Sequence, residues 1–293
     1  MGVKYQKYLG LFHHPDVMKE LKSLDEVQDC ERIAQILYCY EFNFDFSRAL
    51  EVALFYTYAS QPVAHLLNKT QQFSKQGQRR LEDTTILLAL LLQNGWDSEK
   101  GKRVIARMNK THGHYTIAND DLIFVLWTFI HFPIWWCDHQ GRRKLSEKEK
   151  NAWFNFWYQT GLMMNIEDLP KTKIEMDKFI KNYEDEHFVA TESAHEVMKS
   201  TLDLLTQLFP SYLKPMIETV ALSMVPNPAF FMATGYQRPK LHTRLLVKSG
   251  FYAYAKLNRW LMIGQYPQRI ENRREVKHRD MQNIENLKPK ALQ

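Results

Sequence analysis

His112, Arg80 and Thr84 are the residues whose types and placing in this sequence could do chemistry. Counting back from His112 along a helix, Met108 lies one turn away, Ile105 two turns, and Val104 falls on the same side. His112 therefore shares an apolar face near that helix's end. His114 lies about 200° round an ideal helix and, if the helix reaches it, falls with Arg103, Arg107 and Lys110 on a basic face. An inward imidazole is either a core histidine bonded to a carbonyl or a neutral ligand to a metal or haem iron. The residues alone leave both readings open. Arg80 and Thr84 stand four apart, on one face continued by Leu88 and Leu91. If buried, Arg80 needs an anionic partner: a cofactor propionate, a substrate carboxylate or a protein carboxylate. If exposed, it is an ordinary arginine near a helix start, with Thr84 bonding back to its carbonyl.

Other titratable clusters are weaker. Glu184 with His187 and Glu192 with His195 have Glu-x-x-His spacing. Such pairs build di-iron sites when two bundle helices supply them and two more add a glutamate each. Here the second pair begins so soon after the first that one helix, or abutting pieces, would carry both. Charged, solvent-facing helix turns explain them, and a di-iron carboxylate oxidase is the remoter rival. His131, inside the apolar run 122–137, reads as a satisfied core histidine and a spare candidate for ligand or pocket acid. His65, just after Pro62, reads the same way, and His13, His14 and His278 fall in terminal segments. There is no Gly-rich phosphate loop, nucleophile elbow or zinc spacing.

Three consecutive helices with short connections must position the candidate residues, over 79–128. Asn94-Gly95 stops the first, Ser98 caps the second, and Gly113 stops it at His112. Asn119 caps the third, with Asp120 and Asp121 favourably placed in its first turn. Helical periodicity also covers 29–40, 47–60, 63–73, 174–187, 193–208, 213–224 and 241–262, with 74–78 a polar loop holding Gly77. Ser146 and Glu149 have capping-box form before an aromatic helix reaching Met163, and Pro226-Asn227-Pro228 marks a turn. Convincing alternating strands and internal repeats are absent. The expected architecture is all-α: a single large helical domain over 29–265, an N-terminal extension over 1–28 and a polar tail over 266–293.

Composition narrows the partners. Hydrophobic residues make up 45% of the 293, enough for one large core, and charged residues make up 25%. The net charge of +6 reads as thinly spread, and the densest run, RIENRREVKHRD at 269–280, mixes both signs. That is a solvated helix or tail and not a nucleic-acid patch. Cys30, Cys39 and Cys137 are odd in number and lack metal spacing, which fits a reducing compartment. The first sixteen residues lack a signal-peptide core, and Gln6 breaks the myristoylation pattern. The apolar runs 84–92 and 122–137 fall short of the ~20 residues that span a bilayer. The expectation is a cytoplasmic protein with no transmembrane span.

Longer strings then carry a resemblance. RLEDT from Arg80, RMNKTHGHYTIANDDLIFVLWTF from Arg107, and WFNFWYQTGLMMNIEDLP from Trp153 resemble the MpaB and rubber-oxygenase (latex-clearing protein) family. The match is closest over 80–170, extends loosely to about 49 and 184, and leans toward the MpaB-like branch. The resemblance implies a globin-reminiscent helical domain holding one haem b, with His112 as proximal iron ligand and Met108 in the binding helix. The family's Arg-x-x-x-Thr pattern matches Arg80 and Thr84, implying roles in both cofactor binding and catalysis. Asp83 stands where rubber oxygenases carry lysine, and Asn109 where they carry arginine. The implied activity is dioxygen-dependent oxidation of a small, apolar, isoprenoid-like unsaturated substrate, up to cleavage of a carbon–carbon double bond. The rival from another class is a helical protein that binds haem or lipid without turnover.

Overall fold

The stretch 122–137 has too few polar positions to lie on a surface, and in a computed structural model it is the buried centre of the molecule. The structure describes residues 8–10, 15–70, 72–207, 209–260, 262–264 and 267–272, with 276, 284 and 287. Helix α7 (Asn119–His139) buries most of its length, including Phe124, Trp127 and Trp136. Pro133 lies inside it, six residues before its end. Helix α3 (Asn43–Tyr56) runs along α7, and α8 (Glu147–Met163) packs on α7 and on α2 (Cys30–Ile36). Aromatic rings make the joints: Phe46 meets Trp153 edge-on at 4.5 Å, and the Trp136 indole N–H donates to Asp45 at 3.0 Å. Burial pushes the Asp45 carboxyl up to about 6.

Around this centre stand α4 (Gln61–Lys69), α5 (Gln72–Asn94), α6 (Glu99–His112), α9 (Lys173–His187) and α10 (Glu192–Gln207). Helices α11 (Lys214–Ser223), α12 (Pro228–Thr234) and α13 (Leu241–Trp260) complete one end, and α1 (Pro15–Ser23) precedes α2. The fold is all-α, as expected. The capping box at Ser146 and Glu149 is present with both its hydrogen bonds, and a second one forms at Thr172 and Glu175.

Local expectations fail where tertiary contacts override them. Residues 74–78 are not a loop: α5 runs through Gly77, where a Cβ would collide with the Leu204 side chain of α10. The glycine marks close helix approach instead of a break. Asn119 does not cap α7, which Ala118 precedes, because its side chain bonds both the N–H and the carbonyl of Glu167. Pro226-Asn227-Pro228 is a turn that starts a short helix, α12, capped by Asn227 accepting from Ala229. Strands are not wholly absent: β1 (Tyr8–Gly10) pairs antiparallel with β2 (Met262–Gly264). Apolar contacts also cross both expected domain boundaries. Val17 and Leu21, and Ile270, Val276, Ile284 and Leu287, join the same core cluster as α7.

Candidate functional site

The turn between α5 and α6 sets the site's frame. Gly95 has φ +73°, which glycine adopts without strain, and reverses the chain after Asn94. Ser98 caps α6 by accepting from the Gly101 N–H at 3.0 Å, and Gly101 lies so close to the Gly95 carbonyl that a Cβ would not fit. So α6 is pinned against the end of α5. At its other end Gly113 donates to the Asn109 carbonyl at 2.9 Å and closes the helix, leaving His112 as its last residue.

Helices α4, α5, α6 and α7 supply most of the lining of a cavity of about 580 Å³. That lies within the roughly 300–1,000 Å³ of small-molecule and cofactor sites. His112 and Met108 reach it from α6, Thr84, Leu87 and Leu88 from α5, and Val125 and Phe129 from α7. Three of the four residues singled out from sequence are thus gathered at one cavity. For the fourth, Arg80, only the place on α5 is described; its side chain lies outside the described residues.

The wall holds polar groups that sequence reasoning missed. Arg79, beside Arg80, lines the cavity 4.0 Å from the carboxylate of Asp83, which is buried on the same wall. The Arg79 Nε and the indole N–H of buried Trp157 are donors without a hydrogen-bond partner, and both residues line the cavity. Asp121 enters from the first turn of α7, where the Tyr183 hydroxyl donates to it and lies 2.7 Å from Ser60 Oγ. Burial pushes the Asp121 carboxyl up, against the Tyr183 bond and nearby His187, which pull it down. Periodicity could have flagged Asp121, since it shares a face with the inward Phe124 and Val125. Nothing local could have flagged Trp157, one aromatic among many in α8.

Other readings need correction. Arg107 is not on a solvent face: it is buried and its Nε donates to the carbonyl of Leu287 at 3.0 Å. His114 lies beyond the helix, exposed, with its ring against the Lys110 carbonyl. His131 is stacked on Trp127 at 4.3 Å, but its Nδ1 is buried without a partner, so it is not a satisfied core histidine. Burial, with a smaller push from Lys173, lowers it to about 4. His65 lines the cavity from an exposed position. The two Glu-x-x-His pairs fall on separate helices, α9 and α10. Glu184 is not solvent-facing: it accepts from the Tyr56 hydroxyl and, at 3.1 Å, from Asn227. His195 does lie exposed, bonded to the Thr234 carbonyl at 3.0 Å.

Comparison with known proteins points one way. A family model described as "ER-bound oxygenase mpaB/B'/Rubber oxygenase, catalytic domain" matches residues 52–282. ER-bound oxygenase mpaB' of Penicillium brevicompactum is 30% identical over 193 residues, covering 60% of this chain and 46% of the relative. ER-bound oxygenase mpaB of Penicillium roqueforti (strain FM164) is 29% identical over 193 residues, 60% of this chain and 65% of the relative. The mpaB of Penicillium brevicompactum is 31% identical over 167 residues, 51% of this chain and 43% of the relative. The chain spans about half the length of the curated relatives it matches.

Proposed function

The chain belongs to the family of mpaB, mpaB' and rubber-oxygenase catalytic domains, and on that premise we propose that it is a haem b-dependent oxygenase acting on a small, apolar, unsaturated substrate. The observation that carries the reading is the cavity: an imidazole, a thioether and a hydroxyl from two helices meet on leucine walls. Its residues suit a haem. His112 would supply an imidazole nitrogen at a helix end, and Leu54, Leu66, Leu87 and Leu88 the apolar surface a macrocycle needs. The Arg79 Nε, beside Asp83 but without a hydrogen bond, and the Trp157 N–H would supply donors for anionic propionates.

His112 would hold the iron and Met108 would pack beside it. Arg79 would bind a propionate, and Arg80, which with Thr84 matches the family's Arg-x-x-x-Thr pattern, would serve the same cofactor. When bound, haem supplies the activation of dioxygen. The chain's own part is positioning. The leucine, valine and phenylalanine lining strengthens the polar contacts set against it. Thr84 offers a hydroxyl for orienting the substrate or dioxygen. Asp121, which accepts from Tyr183 and whose carboxyl burial pushes up, stands beside the cavity.

The test is reconstitution. The purified chain, supplied with haem, should take up about one equivalent by pyridine-haemochrome assay, and then consume dioxygen with an isoprenoid-like alkene. Thr84→Val should keep the haem and lose most of the turnover, because it removes one hydrogen-bonding group and keeps the shape. A folded chain that never takes up haem overturns the proposal. One that takes up haem without turnover favours the non-catalytic binder.

A further inference from the structure

Charge is not spread evenly along this sequence. Between Glu218 and Glu271 there is no Asp or Glu, yet there are seven Lys and Arg residues. Five of them, Arg238, Lys240, Arg244, Lys248 and Lys256, lie on or just before α13. Among the described residues, none of these five forms an ion pair. Lys248 instead lies over the Trp135 ring, Lys256 over Tyr252, and Arg238 over Phe231. Arg244 and Lys248 are held below their ordinary range, first by burial and then by the like charges beside them.

The same helix turns its leucines outward. Its inner edge packs on α11 and the core, through Phe251 against Trp136 at 5.2 Å and Ala255. Its outer face presents Leu241, Leu245, Leu246, Tyr252 and Leu257, with Leu245 54% and Leu246 73% exposed. Nearby on the same end, Tyr212 and Met216 are exposed as well. Exposed apolar side chains of this kind, with cations beside and among them, mark an interaction surface. Twenty residues would be long enough to cross a bilayer, but among the described residues no helix is apolar enough to do so.

We propose that the exposed face of α13 lies in the headgroup region of an anionic lipid bilayer, holding the chain on the membrane surface without crossing it. The pattern is that of an in-plane amphipathic helix: leucines and tyrosines enter the acyl boundary while Lys and Arg stay at the phosphates. A second copy of this chain is the poorer occupant. A two-fold interface sets the same patch against itself, so Arg244, Lys248 and Lys256 would meet their own kind with no acid within the segment. An anionic lipid surface satisfies the cations and the leucines together. The proposal stands apart from the haem reading and needs no activity.

The test is co-sedimentation of the purified chain with phosphatidylcholine vesicles, plain or containing about a third phosphatidylserine. The chain should pellet with the anionic vesicles, weakly with the neutral ones, and less as salt rises. Leu245→Glu with Leu246→Glu should lose binding more than ten-fold, since both side chains leave the acyl boundary. Lys256→Gln should weaken binding about five-fold, the worth of one cation at such a surface. Circular-dichroism melts check that the variants fold. If the double variant does not, Leu246→Glu, at the most exposed of these positions, takes its place. Pelleting no better with anionic than neutral vesicles overturns the proposal, as does undiminished binding by the leucine variant. A dimer in solution that the leucine variant abolishes, without vesicle binding, reassigns the face to a second copy.

Discussion

Helices α5 and α13 are of similar length, 23 and 20 residues, and both are rich in leucine. In α5, Leu90, Leu91 and Leu92 are wholly buried and Leu87 and Leu88 line the cavity. In α13, Leu241, Leu245, Leu246 and Leu257 face outward. The residue type is the same; the neighbours differ. Helix α5 touches α2, α4, α6 and α10, whereas α13 packs chiefly on α11 and on aromatic rings from α3 and α7. Apolar surface is stabilising only where something covers it. A helix with partners on several sides builds a site inside the protein, and one with a single covered edge offers a site outside it.

The contrast is tested most severely at His112. His112→Ala should leave the haem-supplied chain with under about a tenth of the wild-type Soret absorbance, since the iron loses its proximal imidazole. His114→Ala, exposed and beyond the helix, should change neither haem content nor spectrum. Reversed outcomes would move the site off the inner face of α6.

A second, smaller effect compares the leucines directly. Leu90→Ala should cost about 2–5 kcal/mol in urea unfolding, because it leaves a cavity in a packed core. Leu246→Ala should stay within about 0.5 kcal/mol, because nothing in the fold covers it. Equal costs would mean that the outer face of α13 is packed in solution.

Glu184 sharpens the comparison from the middle of the fold. Its carboxylate, lifted mainly by burial, joins Tyr56 of α3 to Asn227 at the start of α12. Glu184→Ala should destabilise the chain by about 1–3 kcal/mol, because it orphans buried polar groups. It should not alter any bound metal. Two non-haem irons per chain, lost in that variant, would instead mean a di-iron site.

The smallest effect is one of pH. His131 is lowered from 6.5 to about 4, so between those values the unfolded chain binds a proton that the folded chain refuses. Its contribution is therefore complete above about 6.5 and lost as pH falls toward 4. His131→Phe, which keeps a ring over Trp127, should flatten the fall in melting temperature across that window. An unchanged slope would show that the imidazole is freely protonated in the folded chain.

Much of this protein was determined by sequence alone, wherever the cause is local. Helical period, the Ser98 and Ser146 caps and the Gly113 stop depend on residues within a turn or two, and all are present. The inward phase of His112 and Met108 follows from 3.6 residues per turn, and both line the cavity. Family-specific strings carried the identification as well. Only the tertiary structure decided what non-neighbours impose. Gly77 reads as a loop until Leu204 is seen against it, and Arg107 reads as solvent-facing until Leu287 covers it. Trp157 and Arg79 join the site through donors that lack hydrogen bonds, which no spacing reveals. The leucines of α5 and α13 are indistinguishable by type, because burial belongs to pairs of surfaces and the sequence writes down only one surface at a time.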